Sequence, residues 1–317
     1  MTTTNPAAPA APLAPPDLAR IAKTVATKLP FRGDVTGLTP LAGDASNRRY
    51  FRVALKGKPS ALILMQLADP EGFKKSEEAV SGASVQIAEL PFTNVLAHLQ
   101  RTGVTVPQLH YYDREAGLLY LEDFGDLTLA EACRDADRAR LVSLYRQAID
   151  QLVLLQVKGT QPPAPGCIAF HRRFDVSLLM WEFDHFLEYG IAARLGQPMK
   201  PADDAAVRAA FQRIAELLAG QPQVFVHRDY HSRNLMVDGA RLGIIDFQDA
   251  LMGPATYDLA SLLKDAYIEL DDAVVDGLVE HFLNGLAGQG VNVADRTAFR
   301  RLFDLTSIQR NLKAAGR

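Results

Sequence analysis

The stretch Val224–Phe247, VFVHRDYHSRNLMVDGARLGIIDF, decides the reading of this chain. Two short apolar runs, Val224–Val226 and Leu242–Ile245, each end at polar and ionisable residues. The first opens onto His227, Asp229 and Asn234, in the pattern H-x-D-x-x-x-x-N. The second opens onto Asp246, Phe247 and Gln248.

Phosphate transfer from ATP needs this inventory. A carboxylate must orient the attacking hydroxyl and accept its proton, and Asp229 is the candidate. Mg2+ is a hard cation that prefers oxygen and keeps several waters, so one or two side chains suffice. Asn234 offers an amide oxygen and Asp246 a carboxylate. Protein kinases use H-R-D-x-x-x-x-N and then D-F-G for the same tasks. Here His227, Arg228, Asp229 and Asn234 match the first motif, and Gln248 stands where the second has glycine. An alternative takes His227, Asp229 and His231 as the zinc cluster of a hydrolase. That reading leaves Asn234 and Asp246 without a task.

The rest of the chain bounds the answer. With 317 residues there is length for one large or two moderate domains. Apolar residues make up 48% and charged residues 22%, as in an ordinary globular protein. A net charge of −3, from 34 basic and 37 acidic residues, argues for neither nucleic acid nor an anionic membrane as partner. Cys133 and Cys167 lack metal-site spacing, so no disulfide framework is expected and a reducing cytoplasm fits. Residues 1–16 are rich in Ala and Pro and read as a disordered tail without the features of a signal peptide. No apolar run is long enough to span a bilayer.

From Pro16 to Leu29, Leu18, Ile21, Val25 and Leu29 predict one buried helical face. Gly43–Ser46 reads as a hairpin tip whose small residues let backbone N–H groups approach phosphates, or as an ordinary turn. Ser46, Asn47, Arg49 and Arg52 are the candidate nucleotide contacts there. Ser60–Leu67 is a third strand without the lysine that kinases place on it. Arg49 or Arg52 would supply the charge, unless both are solvent-facing strand residues. Residues 70–90 read as a solvated helix or excursion. Pro91 opens a helix that Gly103 closes, and no acid lies between Pro91 and Arg101 to pair a kinase lysine. Val104–Tyr112 and Leu118–Glu122 read as strands around a polar turn. The backbone from Glu122 to Phe124 is the candidate adenine contact.

Helices dominate thereafter. Asp175–Gly190 carries Trp181, Glu182 and His185, an aromatic ring beside an acid and an imidazole, suited to a sugar or to a half-buried helix face. Ala205–Leu218, Ala273–Leu286 and Asp295–Ala314 are further helices. Met252–Leu263 runs from a Gly-Pro turn into a helix, which Lys264, Asp265 and Tyr267 continue. Asp258 is expected to brace the catalytic loop.

The order of these motifs resembles the aminoglycoside phosphotransferase/choline kinase family over residues 17–317. GDASNRRYFRV, LYLEDFGD, VHRDYHSRNLMV, IDFQDA and GPATYDLASLLKDAY look like its branch of anomeric N-acetylmuramate/N-acetylglucosamine kinases of cell-wall recycling. The missing third-strand lysine is a trait of that branch. The resemblance implies an α+β, bilobal, protein-kinase-like fold: a small β-rich lobe over 17–125 and a larger, mostly helical lobe over 126–317. It implies ATP and Mg2+ as cofactors, with Asp229 as base and Asn234 and Asp246 as metal ligands. The expected product is the amino sugar 1-phosphate. Trp181, Glu182, His185, His231, Arg233 and Asp265 are the expected sugar contacts, and Arg233, Arg172 or Arg173 would face a substrate carboxylate. A cytoplasmic monomer acting on an amino sugar is expected, without nucleic acid or membrane. Members of the branch continue past the position of Arg317, so a truncated chain is expected. The alternatives are an aminoglycoside or choline kinase of the same fold, and a nucleotide-binding pseudokinase.

Overall fold

Helix α1 (Leu18–Lys28) starts where Asp17 accepts the Ala19 N–H at 2.9 Å, an N-cap that satisfies one of the helix's unpaired donors. Its buried stripe, Ile21 and Val25 with Leu29 just beyond, lies on a five-stranded antiparallel sheet. The strands are β1 (Asp34–Pro40), β2 (Arg48–Lys56), β3 (Ala61–Leu67), β4 (Leu109–Asp113) and β5 (Leu118–Leu121). Their order is β1-β2-β3-β5-β4. Alternation along β2 sends Phe51, Val53 and Leu55 into the core, where they meet Leu62 and Leu64 of β3 and Leu118 and Tyr120 of β5. Arg20 ties α1 to the β4–β5 turn through a bidentate pair with Asp113 at 2.7 and 2.9 Å.

The computed structural model describes residues 14–41, 48–67 and 89–316. Most of the expected tail, the hairpin tip with Ser46 and Asn47, and nearly all of the 70–90 excursion lie outside the described residues. The chain divides into two compact units. The described residues of the first are 14–41, 48–67 and 108–123; those of the second are 89–107 and 124–316. Residues 89–107, which the sequence reading assigned to the first lobe, group with the second. Helix α2 (Pro91–Leu99) explains this. Its Asn94 donates to Gly166 O at 2.9 Å and accepts the Ile168 N–H at 2.8 Å. Its Phe92 stacks on Phe247, and its His98 bonds Gly159 O at 2.7 Å.

The second unit is mostly helical: α3 (Leu129–Arg134), α4 (Arg138–Thr160), α5 (Val176–His185), α6 (Pro201–Ala219), α7 (Thr256–Leu263), α8 (Asp272–Gly288) and α9 (Arg296–Ala315). Two small antiparallel pairs complete it, β6 (Gln223–Val226) with β9 (Leu251–Pro254), and β7 (Leu235–Asp238) with β8 (Arg241–Ile244). Phe174, Leu178, Leu179, Ala215, Leu218, Val226, Leu251 and Tyr257 form one core cluster.

Three expectations are corrected. The helix predicted over Asp175–Gly190 becomes π-helical at Phe186–Ala193. A β-carbon at Gly190 would lie 2.6 Å from the Phe186 ring, so the ring packs over a residue with no side chain. Gly253 and Pro254 are not a turn but the end of β9, paired with β6. Helix α7 stops at Leu263, because Asp265 turns back to accept the Tyr267 and Ile268 N–H groups. No helix among the described residues is long and apolar enough to cross a membrane.

Candidate active site

The polar ends of the two apolar runs in Val224–Phe247 are brought together by the β7–β8 hairpin. Leu235 pairs with Ile244, and the Ile245 N–H donates to Asn234 O at 3.1 Å. Asn234 and Asp246 therefore flank the same end of the hairpin. Asn234 Nδ2 donates to Asp229 O at 3.0 Å, which turns its amide oxygen the other way and closes the loop from His227 to Asn234 on itself. Gln248, in the position that is glycine in kinases, is buried and donates to Asp246 Oδ1 at 3.0 Å and Asp249 Oδ2 at 3.1 Å. It orients the carboxylate that precedes it. An amide oxygen and a carboxylate at one hairpin end form a hard-oxygen donor set that fits Mg2+.

Two non-glycine residues here have left-handed backbone, Arg228 (φ 83°) and Asp246 (φ 64°), a conformation that persists only where surroundings enforce it. For Arg228 the enforcing group is Asp258 on α7. Its buried carboxylate accepts the His227 N–H at 2.6 Å and the Arg228 N–H at 3.0 Å. Burial pushes the Asp258 carboxyl up to about 6, against the pull of His227 and the two backbone donors. Asp258 is thus the brace that its position after the Gly-Pro pair implied.

His227 is fully committed. Ile245 O can only accept, so Nε2–H donates to it at 2.8 Å, and Nδ1 then accepts the Asp229 N–H at 3.3 Å. A histidine with both nitrogens engaged has no lone pair for zinc. Among the described residues, no group of three His, Cys, Asp or Glu is arranged to hold a metal. This removes the hydrolase alternative.

Behind Asp229 stands a charged cluster that sequence reasoning missed. Arg310 of α9 reaches Asp229 Oδ1 at 3.3 Å, and Lys313 approaches the same oxygen at 3.7 Å. Lys313 also contacts Glu182 Oε1 at 3.1 Å, while Arg228 lies 3.6 Å from that oxygen. Gln309 and the Tyr257 hydroxyl donate to Glu182 Oε2 at 2.7 and 3.3 Å. Burial would raise the Glu182 carboxyl, yet Lys313, Arg228 and Gln309 together hold it below its ordinary value. Burial pushes Lys313 down to about 8, with Asp229 and Glu182 opposing.

The expected sugar contacts separate. Glu182 is 1% exposed and belongs to the buried cluster. Trp181 and His185 stand on another face of α5, their rings 4.8 Å apart, with exposed Tyr189 4.7 Å beyond His185. Asp265 accepts the Ser232 N–H at 3.0 Å and so supports the loop from His227 to Asn234. His231 packs edge-on to Tyr267, and the Arg233 guanidinium lies 3.8 Å over the Tyr267 ring. Burial lowers the His231 imidazole against the pull of Asp229. Of the two other arginines named for a substrate carboxylate, Arg172 is buried, while Arg173 makes a backbone bridge to Met252. In the first unit, Arg49 lies over Phe51, Arg52 pairs with Asp123 at 2.6 Å, and Glu122 accepts the Gln108 N–H at 3.2 Å. Phe124 begins the second unit's 124–316 segment, its ring against Gly243, where a β-carbon would come within 2.4 Å.

The model of the phosphotransferase enzyme family matches residues 37–291. Over 284 residues, 88% of this chain and 75% of the relative, the sequence is 34% identical to the N-acetylmuramate/N-acetylglucosamine kinase of Pseudomonas putida. The choline kinase from Cryptosporidium parvum superposes with a TM-score of 0.62 at 11% identity, covering 94% of this chain and 88% of that one. For the streptomycin–ATP–APH(2″)-IIa ternary complex the TM-score is 0.61 at 12% identity, covering 96% and 91%. At such identities the likeness is one of fold, the protein-kinase-like pairing of a β-rich unit with a helical one.

Proposed function

Because this chain belongs to the phosphotransferase enzyme family, whose members move phosphate onto an acceptor, we propose that it phosphorylates the anomeric C1 hydroxyl of N-acetylglucosamine, N-acetylmuramate or both, using ATP. The observation that carries the reading is the closure of the catalytic loop: Asn234 bonded to the backbone of Asp229, and Asp246 at the same hairpin end. The substrate class comes from the relative's name, and the ATP from the fold's ATP-bound neighbour.

In this mechanism the C1–OH gives its proton to Asp229 as its oxygen attacks the γ-phosphorus. The bond from that phosphorus to the β–γ bridging oxygen breaks, and ADP departs. Positioning and fixed charge, rather than a covalent intermediate, lower the barrier. Mg2+, held by the Asn234 amide oxygen and the Asp246 carboxylate, would neutralise the phosphate oxygens. Gln248 orients Asp246 and Asp258 braces His227 and Arg228, while the bonds of Ile245 to His227 and Asn234 keep the two halves of the site in register. The hairpin strand β2, with Arg49 and Arg52, is assigned to the nucleotide, and the sugar to the second unit near His231 and Arg233. A place in cell-wall recycling follows from such a product.

Phosphorus and proton NMR of the product from N-acetylglucosamine and ATP tests this. A signal coupled to the anomeric proton is expected. Phosphate at C6, or turnover of choline or kanamycin in preference to the amino sugars, would overturn it.

A further inference from the structure

The charged cluster on α9 has no task in the mechanism above, although it touches the group that does the chemistry. Thr306, Arg310 and Lys313 recur every three or four residues and continue the stripe of Phe299 and Phe303 along α9, with Gln309 at its edge. The Thr306 and Thr256 hydroxyls, 2.7 Å apart, bind that face to α7. Just past the end of α9 the backbone packs closely on the start of the π-helical segment, since a β-carbon at Gly316 would lie 2.7 Å from Phe186 Cα. The helix therefore presents Arg310 and Lys313 to Asp229 from a rigid seat.

Exposure rises along the cluster, from 0% for the Glu182 side chain to 5% for Lys313, 11% for Arg310 and 24% for Asp229. A buried ion network is weak evidence for stability, since apolar residues of the same volume often serve as well or better. Glu182 already holds Lys313, Gln309 and Tyr257 without any contribution from Asp229. Arg310 makes no contact with Glu182 below 4 Å and instead lies over the Tyr257 ring and reaches Asp229. For both cations the nearest oxygen of Asp229 is Oδ1, bonded by Arg310 at 3.3 Å and approached by Lys313 at 3.7 Å, so both act on the carboxylate from the side of α9.

We propose that Arg310 and Lys313 are positioning residues for Asp229: from the Oδ1 side they hold its carboxylate in one orientation for the acceptor hydroxyl, and Glu182 is the buried anchor that keeps Lys313 in reach. This rests on the reading of Asp229 as the base. The groups facing Lys313 are Glu182 from α5, Arg228 and Asp229 from the catalytic loop, Tyr257 from α7 and Arg310 from its own helix.

The test uses the full chain with N-acetylglucosamine, ATP and Mg2+, and ADP binding by calorimetry as the check on folding. Lys313→Met and Arg310→Met should each lower kcat about 10²-fold, the scale of a misplacement of roughly 1 Å, with KM for ATP and ADP affinity within about twofold. Arg310→Lys keeps a cation but not the planar group over Tyr257, so its kcat should fall between those of Arg310→Met and wild type. Because the effect acts through Asp229, adding Lys313→Met to Asp229→Asn should cost nothing further. If Lys313→Met does not fold, the pair Glu182→Gln with Lys313→Met removes both charges and should show the same loss in kcat. Wild-type kcat in the folded variants, or losses that multiply with Asp229→Asn, would overturn the inference. An Asp229→Asn enzyme with full activity defeats the assignment of the base itself. A wild type inactive on amino sugars defeats only the substrate reading, and the inference is then read on hydrolysis of ATP, with water as acceptor.

Discussion

Removing the Asp258 brace gives a prediction whose size can be worked out. In Asp258→Ala, the buried His227 N–H and the part-buried Arg228 N–H both lose their acceptor. Each unsatisfied donor costs about 1–3 kcal/mol, so the loss is about 2–6 kcal/mol against a typical total near 10. Asp258→Asn keeps one acceptor oxygen and turns an N–H toward the other donor, so about half that loss is expected. The pH dependence separates the charge from the shape. The carboxyl sits at about 6 in the folded protein against an ordinary 3.8, so the folded state holds the extra proton between those values. Its contribution to stability is greatest below 3.8 and is lost as pH rises through about 6. From pH 7 to pH 5 the wild type gains about 1 kcal/mol from this one group, and Asp258→Asn gains none. Urea titrations of both proteins at the two pH values measure it. A stability difference that shrinks on acidification, or an Asp258→Asn protein equal to wild type in stability and kcat, would refute the reasoning.

Other expectations follow from the same geometry. Asp229→Asn should lower kcat by about 10²–10⁴-fold while leaving ADP affinity within about twofold, as calorimetry and steady-state kinetics can establish. Asp246→Ala should reduce Mg2+-dependent turnover by about 10³-fold, since it removes a metal ligand worth several kcal/mol, and a Mg2+ titration that still saturates normally would contradict this. Burial pushes the Cys133 thiol up to about 11 and raises Cys167, so both are held as unreactive thiols. Ellman's reagent should label the two cysteines quickly only after denaturation, and rapid labelling of the native protein would show that the packing around them is wrong.

What the sequence revealed, and what it hid, follows from how far apart the cooperating residues lie. Asp229, Asn234 and Asp246 fall within 24 residues of one strand–loop–hairpin stretch, so their chemistry and spacing can be read directly. Arg310 lies 81 residues from Asp229, and no local pattern links them. The signal that existed was helical: Thr306, Arg310 and Lys313, with Gln309 at the edge, prolong the face begun by Phe299 and Phe303, and polar residues on a core-facing stripe need partners. Glu182 was misgrouped for a related reason. Glu182 stands three residues before His185, a spacing that neighbours on one helix face share, so the sequence offered no reason to separate it from Trp181, His185 and Tyr189; in the fold it is buried while those rings stack in a row. Grouping by chemical suitability put an acid beside an aromatic; the fold turns it inward, to the cations of α9. The lysine missing from the third strand serves the phosphates in kinases, so its absence is separate from the positive charge near Asp229. In the second unit that charge comes from a late helix, where composition gives no hint of it and only the fold brings it to Asp229.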